Sequence, residues 1–139
     1  MSKVFVQGSY DILNAGHVRS FADLKSKYDY VIVGLNSDEL MMEHKGRVII
    51  PFEQRKEILL ALKNVDEVIK CDSAYAIDYV KPLGVDAFAT VREWTERQKE
   101  VIDWVSSQGG QIVLLTYYPD DGVTLRSSQI RARVIEGGK

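Results

Sequence analysis

An α/β fold, with a parallel sheet of about five strands covered by helices on both faces, is predicted by three observations in this sequence. Short uninterrupted apolar runs recur along the chain, amphipathic helical segments alternate with them, and several runs end in loops of glycine or small polar residues. Continuous apolar strands suit a sheet buried on both faces, and helical crossovers make successive strands parallel with right-handed connections. Neither an internal repeat nor a low-complexity linker interrupts the alternation, so residues 1–139 are expected to form one domain.

The elements follow in order. Val4 to Gln7 reads as the first buried strand, broken at Gly8, and Gly16 to about Lys27 as a helix whose Val18, Phe21, Ala22 and Leu24 mark an inner face. Tyr30 to Leu35 is the second strand, followed by Asn36-Ser37-Asp38, where Ser37 or Asp38 suits the cap of a short helix through Met42. The basic segment Glu43-His44-Lys45-Gly46-Arg47 is expected as a loop. Pro51 stands ahead of an amphipathic helix from Phe52 to Leu62, with Phe52, Ile58, Leu59 and Leu62 inward and Glu53, Gln54, Arg55 and Lys56 on the other side. Asp66 to Lys70 is a shorter strand, and a helix from about Ala74 to Lys81 is expected to stop before Pro82. Val85 to Ala89 continues the sheet. A helix from Thr95 to Ser107 carries Val101, Ile102, Trp104 and Val105 as its stripe and ends at Gly109-Gly110. Gln111 to Thr116 is the last strand, and Ser127 to Ile135 the closing helix of this Rossmann-like arrangement.

Charge excludes some partners. With 18 basic and 20 acidic residues the formal charge is −2, so no global positive field draws the chain to nucleic acid or to an anionic membrane. Any anion must be held locally. The single cysteine, Cys71, makes no internal disulfide and no cysteine metal site, and reads as a small buried hydrophobe. No apolar run approaches bilayer length and no signal core is legible, so a soluble cytoplasmic protein is expected.

In sheets of this kind ligands bind beyond the carboxyl ends of the strands, where Gly8, Lys45, Thr90 and Pro119 fall. Three segments there suit phosphate. In Gly8 to His17 a glycine precedes a helix start, which offers unpaired N–H groups and the positive end of the helix dipole to an anion. His17 stands in the first turn, able to donate a hydrogen bond or to carry charge; Asn14 and His17 read equally well as an N-cap and a plain first-turn residue. Lys45-Gly46-Arg47 sets two cations around a glycine, suited to closing over phosphates but also to an ordinary solvated loop. Arg126-Ser127-Ser128-Gln129-Ile130-Arg131 at the start of the last helix offers hydroxyls and amides to an anion, or simple capping by Ser127. His44 has no second histidine or cysteine at ligand spacing, so a metal site there is not expected.

Gly8-Ser9-Tyr10-Asp11-Ile12-Leu13-Asn14-Ala15-Gly16-His17 resembles the Gly-Thr-Phe-Asp-x-Leu-His-x-Gly-His signature of the small cytidylyltransferases. Arg126-Ser127-Ser128-Gln129-Ile130-Arg131 is similar to their C-terminal Ile-Ser-Ser-Thr-x-Ile-Arg type of motif, and Pro51 to Lys56 with Val65 to Ile69 look like the middle helix and following strand of the glycerol-3-phosphate enzymes. The resemblance runs nearly end to end. It implies transfer of a nucleotidyl group, most simply CMP from CTP, to a small phosphorylated alcohol or sugar with release of pyrophosphate and with Mg2+ bridging the nucleotide phosphates. It further implies that His17 contacts the phosphates, that Gly8, Ser9, Tyr10 and Gly16 line the pocket, that Lys45 reaches phosphate, and that Ser127 and Ser128 hold the β- and γ-phosphates. A homodimer is implied as well.

Three positions depart from the family pattern. Asn14 occupies the place of the first signature histidine, Arg126 replaces a small residue and is a candidate source of the missing charge, and Thr90-Val91-Arg92-Glu93-Trp94 stands where a Gly-Asp-Asp-Trp run lies near the base. Arg92 is therefore a candidate nucleotide contact. Other readings are an adenylyl-transferring relative, a nucleotide-binding or regulatory homologue without turnover, and an interaction module using Tyr117-Tyr118-Pro119.

Overall fold

The computed structural model describes residues 1–115 and 127–137. The order is β1 (Lys3–Gly8), α1 (Ala15–Lys27), β2 (Tyr30–Asn36), α2 (Asp38–Lys45), α3 (Phe52–Leu60), β3 (Glu67–Cys71), α4 (Ile77–Leu83), β4 (Ala87–Thr90), a 3₁₀ turn at Arg92–Trp94, α5 (Lys99–Ser107), β5 (Gln111–Leu114) and α6 (Ser127–Gly137). All five strands run parallel in the spatial order β3-β2-β1-β4-β5. The chain thus builds outward from β1 to one edge, then crosses back to the other side of β1. The reversal leaves a crevice above the carboxyl ends of β1 and β4.

Alternation along each strand divides the core. Val4, Val6, Val31, Val33 and Leu35 face one side with Phe21 and Leu24 of α1 and Phe52 and Leu59 of α3. Phe5, Ile32, Cys71 and Phe88 face the other with Ile77 and Val80 of α4 and Val101 and Val105 of α5. Gly34 lets the sheet pack closely on this second face, because a Cβ there would lie 2.5 Å from the Phe5 ring and 2.9 Å from Cys71 Sγ. Cys71 is fully buried, as its composition suggested, and burial pushes its thiol up to about 12.

Several boundaries differ from the sequence reading. Lys45 is not on a loop: α2 runs on through Glu43, His44 and Lys45 and stops only at Gly46, whose φ of +71° closes the helix. The apolar marks end at Met42, but solvated polar residues continue a helix readily. Helix α4 starts late because Tyr79 Oη already accepts from the N–H groups of Asp72 and Ser73, and Gln98 Oε1 from that of Ala76. It then includes Pro82, whose missing N–H forfeits one bond near the helix end, and finishes at Leu83 before Gly84 with φ +67°. Helix α3 ends at Leu60 rather than Leu62, and α5 begins at Lys99 rather than Thr95.

Candidate active site

The crevice holds a cavity of about 640 Å³. Its walls come from the loop after β1 (Gly8 to Ile12), from His17 of α1, from His44 and Lys45 of α2, from Thr90 and the Arg92–Trp94 turn after β4, and from Arg131 of α6. Segments far apart in sequence converge there because each follows the carboxyl end of a strand or caps one.

The loop after β1 is held from three directions. Tyr10 has φ +48°, a left-handed conformation uncommon for a bulky residue, and its ring packs at 5.2 Å from the His17 ring and 5.4 Å from Phe21. Gly8 is required beneath it, since a Cβ would stand 2.8 Å from the ring. The Asp11 carboxylate accepts from the N–H groups of Ile49 at 2.9 Å and Ile50 at 2.7 Å, tying the loop to the approach to α3.

Asn14 caps α1: its Oδ1 accepts from Gly16 N–H at 3.0 Å and its Nδ2 donates to the Ile12 carbonyl at 3.1 Å. In return, the Asn14 backbone N–H donates to Nδ1 of His17 at 3.2 Å, completing a capping box. A ring nitrogen that accepts carries no hydrogen, so the proton of neutral His17 sits on Nε2. Burial first, and then the nearby Lys45 charge, lower the pKa of His17 to about 4. Of the two possibilities that its sequence position allowed, hydrogen-bond donor or charge carrier, the lowered pKa favours the neutral donor near neutral pH. Lys45 is shifted down too, chiefly by burial and by the positive charges of Arg131, Arg47 and Arg55, with Asp11 opposing. Lys45, Arg47 and Arg131 gathered around one cavity favour binding a polyanion.

A residue that the sequence pattern placed on an outer face organises this site. Arg55 is among the most deeply buried residues of the chain. Its guanidinium donates to the carbonyls of Ser9, Asn36 and Ile50, each at 2.8 Å, and pairs with Asp38 at 2.7 Å. It thereby joins the loop after β1, the end of β2, the start of α2 and the segment leading into α3. No helical periodicity reveals such a role, because the pattern of α3 turns it away from the apolar stripe.

A family model described as cytidylyltransferase-like matches residues 5–133. The chain belongs to the cytidylyltransferase-like family. Among its relatives is the bifunctional protein HldE of Methylobacillus flagellatus, 34% identical over 118 residues, which cover 84% of this chain and 24% of that protein. The FAD synthase of Ferroglobus placidus is 40% identical over 83 residues, 60% of this chain and 52% of that one. The crystal structure of the lipopolysaccharide core biosynthesis protein from Thermoplasma volcanium shares the fold with a TM-score of 0.71 at 22% identity, covering 86% of this chain and 99% of that chain. The chain spans about a quarter of the length of its bifunctional relatives.

Within this cytidylyltransferase-like domain the structure brings together most residues that the sequence singled out. Gly8, Ser9, Tyr10, His17, Lys45 and Arg92 all line the cavity. Asn14 and Gly16 are not among the lining residues; both serve the cap of α1. Ser127 and Ser128 stand in the first turn of α6, while Arg126 and the Tyr117-Tyr118-Pro119 segment lie outside the described residues. Arg131, the last residue of the C-terminal candidate segment, lines the cavity one turn into α6. Beside Arg92, the Arg97 guanidinium lies 4.5 Å above the Trp94 ring.

Proposed function

We propose that this chain transfers a nucleotidyl group from a nucleoside triphosphate to the phosphate of a small phosphorylated alcohol or sugar, such as glycerol 3-phosphate. The acceptor phosphate oxygen attacks the α-phosphorus, the bond from that phosphorus to the bridging oxygen breaks, and pyrophosphate leaves with the electron pair. No covalent enzyme intermediate is needed. The observation that carries this reading is the convergence of the first loop, His17, Lys45 and Arg131 on one cavity at the reversal of strand order.

The chemical demand is positioning and neutralisation of charge on phosphate oxygens. In this reading His17 donates its Nε2 proton as a hydrogen bond, Lys45 and Arg131 supply charge, and the first turn of α6 with Ser127, Ser128 and the preceding Arg126 receives the β- and γ-phosphates. Among the described residues no group of three or more His, Cys, Asp or Glu could hold a metal ion, and Asp11 is engaged by backbone N–H groups. Mg2+ would be carried in with the nucleotide substrate, as the family resemblance implies. Asn14 acts through His17 as a positioning residue. A homodimer remains part of the proposal by resemblance to the family.

CTP is the first reading of the nucleotide, from the family resemblance and the retained Trp94. Adenylyl transfer from ATP is the second, favoured by the relative named FAD synthase, whose product contains an adenylyl half. Pyrophosphate release measured across the four nucleoside triphosphates, each with a panel of phosphorylated polyols and sugars, separates them. Release that requires both a nucleotide and an acceptor supports transfer; thermal stabilisation by nucleotide with no release from any pair leaves a binding protein instead.

A further inference from the structure

Gln7 and Asn36 are polar residues at the carboxyl ends of two adjacent buried strands, and both line the cavity. Gln7 Nε2 donates to Asn36 Oδ1 at 2.9 Å and to the Ser73 carbonyl at 2.8 Å, and Asn36 Nδ2 donates to Ser9 Oγ at 3.1 Å. A carbonyl only accepts, so the bond to Ser73 fixes which way the Gln7 amide faces. Its Oε1 cannot exchange places with the nitrogen. That oxygen is buried and has no hydrogen-bond partner among the described residues. A buried acceptor left without a donor is costly, and in a cavity wall a bound ligand can supply the donor.

The chain of bonds has a direction. It runs from Gln7 through Asn36 to Ser9, whose hydroxyl hydrogen is left to donate. One end of the strip accepts a hydrogen and the other offers one. A phosphate suits the Ser9 end, beside the phosphate loop, and is repelled by a bare amide oxygen; a neutral hydroxyl suits the Gln7 end. We infer that Gln7 is a specificity-determining residue that accepts a hydrogen bond from a carbon-bound hydroxyl of the phosphorylated alcohol or sugar, while Ser9 donates to its phosphate. This rests on the transfer reading above and narrows the acceptor to polyols and sugars that keep a free hydroxyl near the phosphate.

The test measures nucleotide-dependent pyrophosphate release by the full chain and by Gln7→Met, which keeps the length and removes the amide. The acceptors are sn-glycerol 3-phosphate against 3-hydroxypropyl phosphate, which lacks the central hydroxyl, and glucose 1-phosphate against its monodeoxy analogues. For the acceptor that the unaltered chain uses, removal of one hydroxyl is expected to lower kcat/KM by about tenfold or more, and Gln7→Met is expected to erase that preference. Equal use of an acceptor and all its deoxy partners by the unaltered chain overturns the inference, and so does a preference that survives in Gln7→Met. The deoxy comparison needs no variant, so it stands if Gln7→Met does not fold. Pyrophosphate release from no acceptor at all refutes the transfer reading itself and this inference with it.

Discussion

The backbone N–H of Asn14 donates to Nδ1 of His17 across 3.2 Å, and this bond decides which ring nitrogen carries the proton. The side chain of Asn14 is meanwhile engaged with Gly16 and Ile12. Asn14 thus helps the site by holding the helix start and the histidine tautomer, while His17 meets the cavity.

The buried histidine makes stability depend on pH. The folded-state pKa of His17, about 4, lies below its ordinary 6.5, so the folded chain resists protonation more than the unfolded chain does. The contribution is full above pH 6.5 and is lost as pH falls from 6.5 towards 4. Urea denaturation at pH 7.5 and 4.5 is expected to show wild type losing about 2–3 kcal/mol more than His17→Gln over that interval. An equal loss in both proteins contradicts the assignment.

Asn14→Ala removes a cap and is expected to cost about 1 kcal/mol, read as a lower denaturation midpoint with an unchanged slope. Asn14→Asp keeps an oxygen acceptor at the cap and is expected to retain most of the stability. If both variants matched wild type, the cap would not be contributing.

Arg55→Met leaves the carbonyls of Ser9, Asn36 and Ile50 and the carboxylate of Asp38 without their shared donor. A loss of about 2–4 kcal/mol is expected, with weaker nucleotide binding because both the phosphate loop and α2 lose their tie. Chemical denaturation and nucleotide-induced thermal shifts read the two effects separately. Arg55→Lys, with one charged nitrogen in place of the fork, is expected to rescue only part of either.

Lys45 reaches the cavity wall from an exposed position on α2, and desolvation first, then the like charges of Arg131, Arg47 and Arg55, depress its pKa. Lys45→Met should therefore leave stability within about 0.5 kcal/mol of wild type or raise it, while weakening the binding of inorganic tripolyphosphate. Calorimetric titration with tripolyphosphate alongside thermal melting distinguishes this from a structural role, which would lower the melting temperature.

Much of the fold was legible because apolar runs and amphipathic helices report their own burial. The strands around Val4, Val31, Val68, Phe88 and Ile112 were each placed, and the Gly8 to His17 segment that the sequence marked lies at one cavity. What stayed hidden depended on long-range contacts. The spatial order of strands leaves no local trace. Arg55 looked like a solvated helix residue because its partners lie 5 to 46 positions away. The neutral state of His17 arises from burial and from Lys45, which meets it only in the folded chain. The capping bonds of Asn14 to Gly16 and Ile12 are likewise visible only in the folded loop.

The central claim is that the cavity above β1 and β4 joins a nucleotide to a phosphorylated acceptor. The most direct measurement is phosphorus NMR of the chain mixed with a nucleoside triphosphate, Mg2+ and each acceptor of the panel. The account predicts pyrophosphate and a new phosphoanhydride product appearing together in equal amounts, at rates lowered about a hundredfold or more in His17→Ala and Lys45→Ala. Pyrophosphate without a coupled product, or product formation unchanged in both variants, would contradict it.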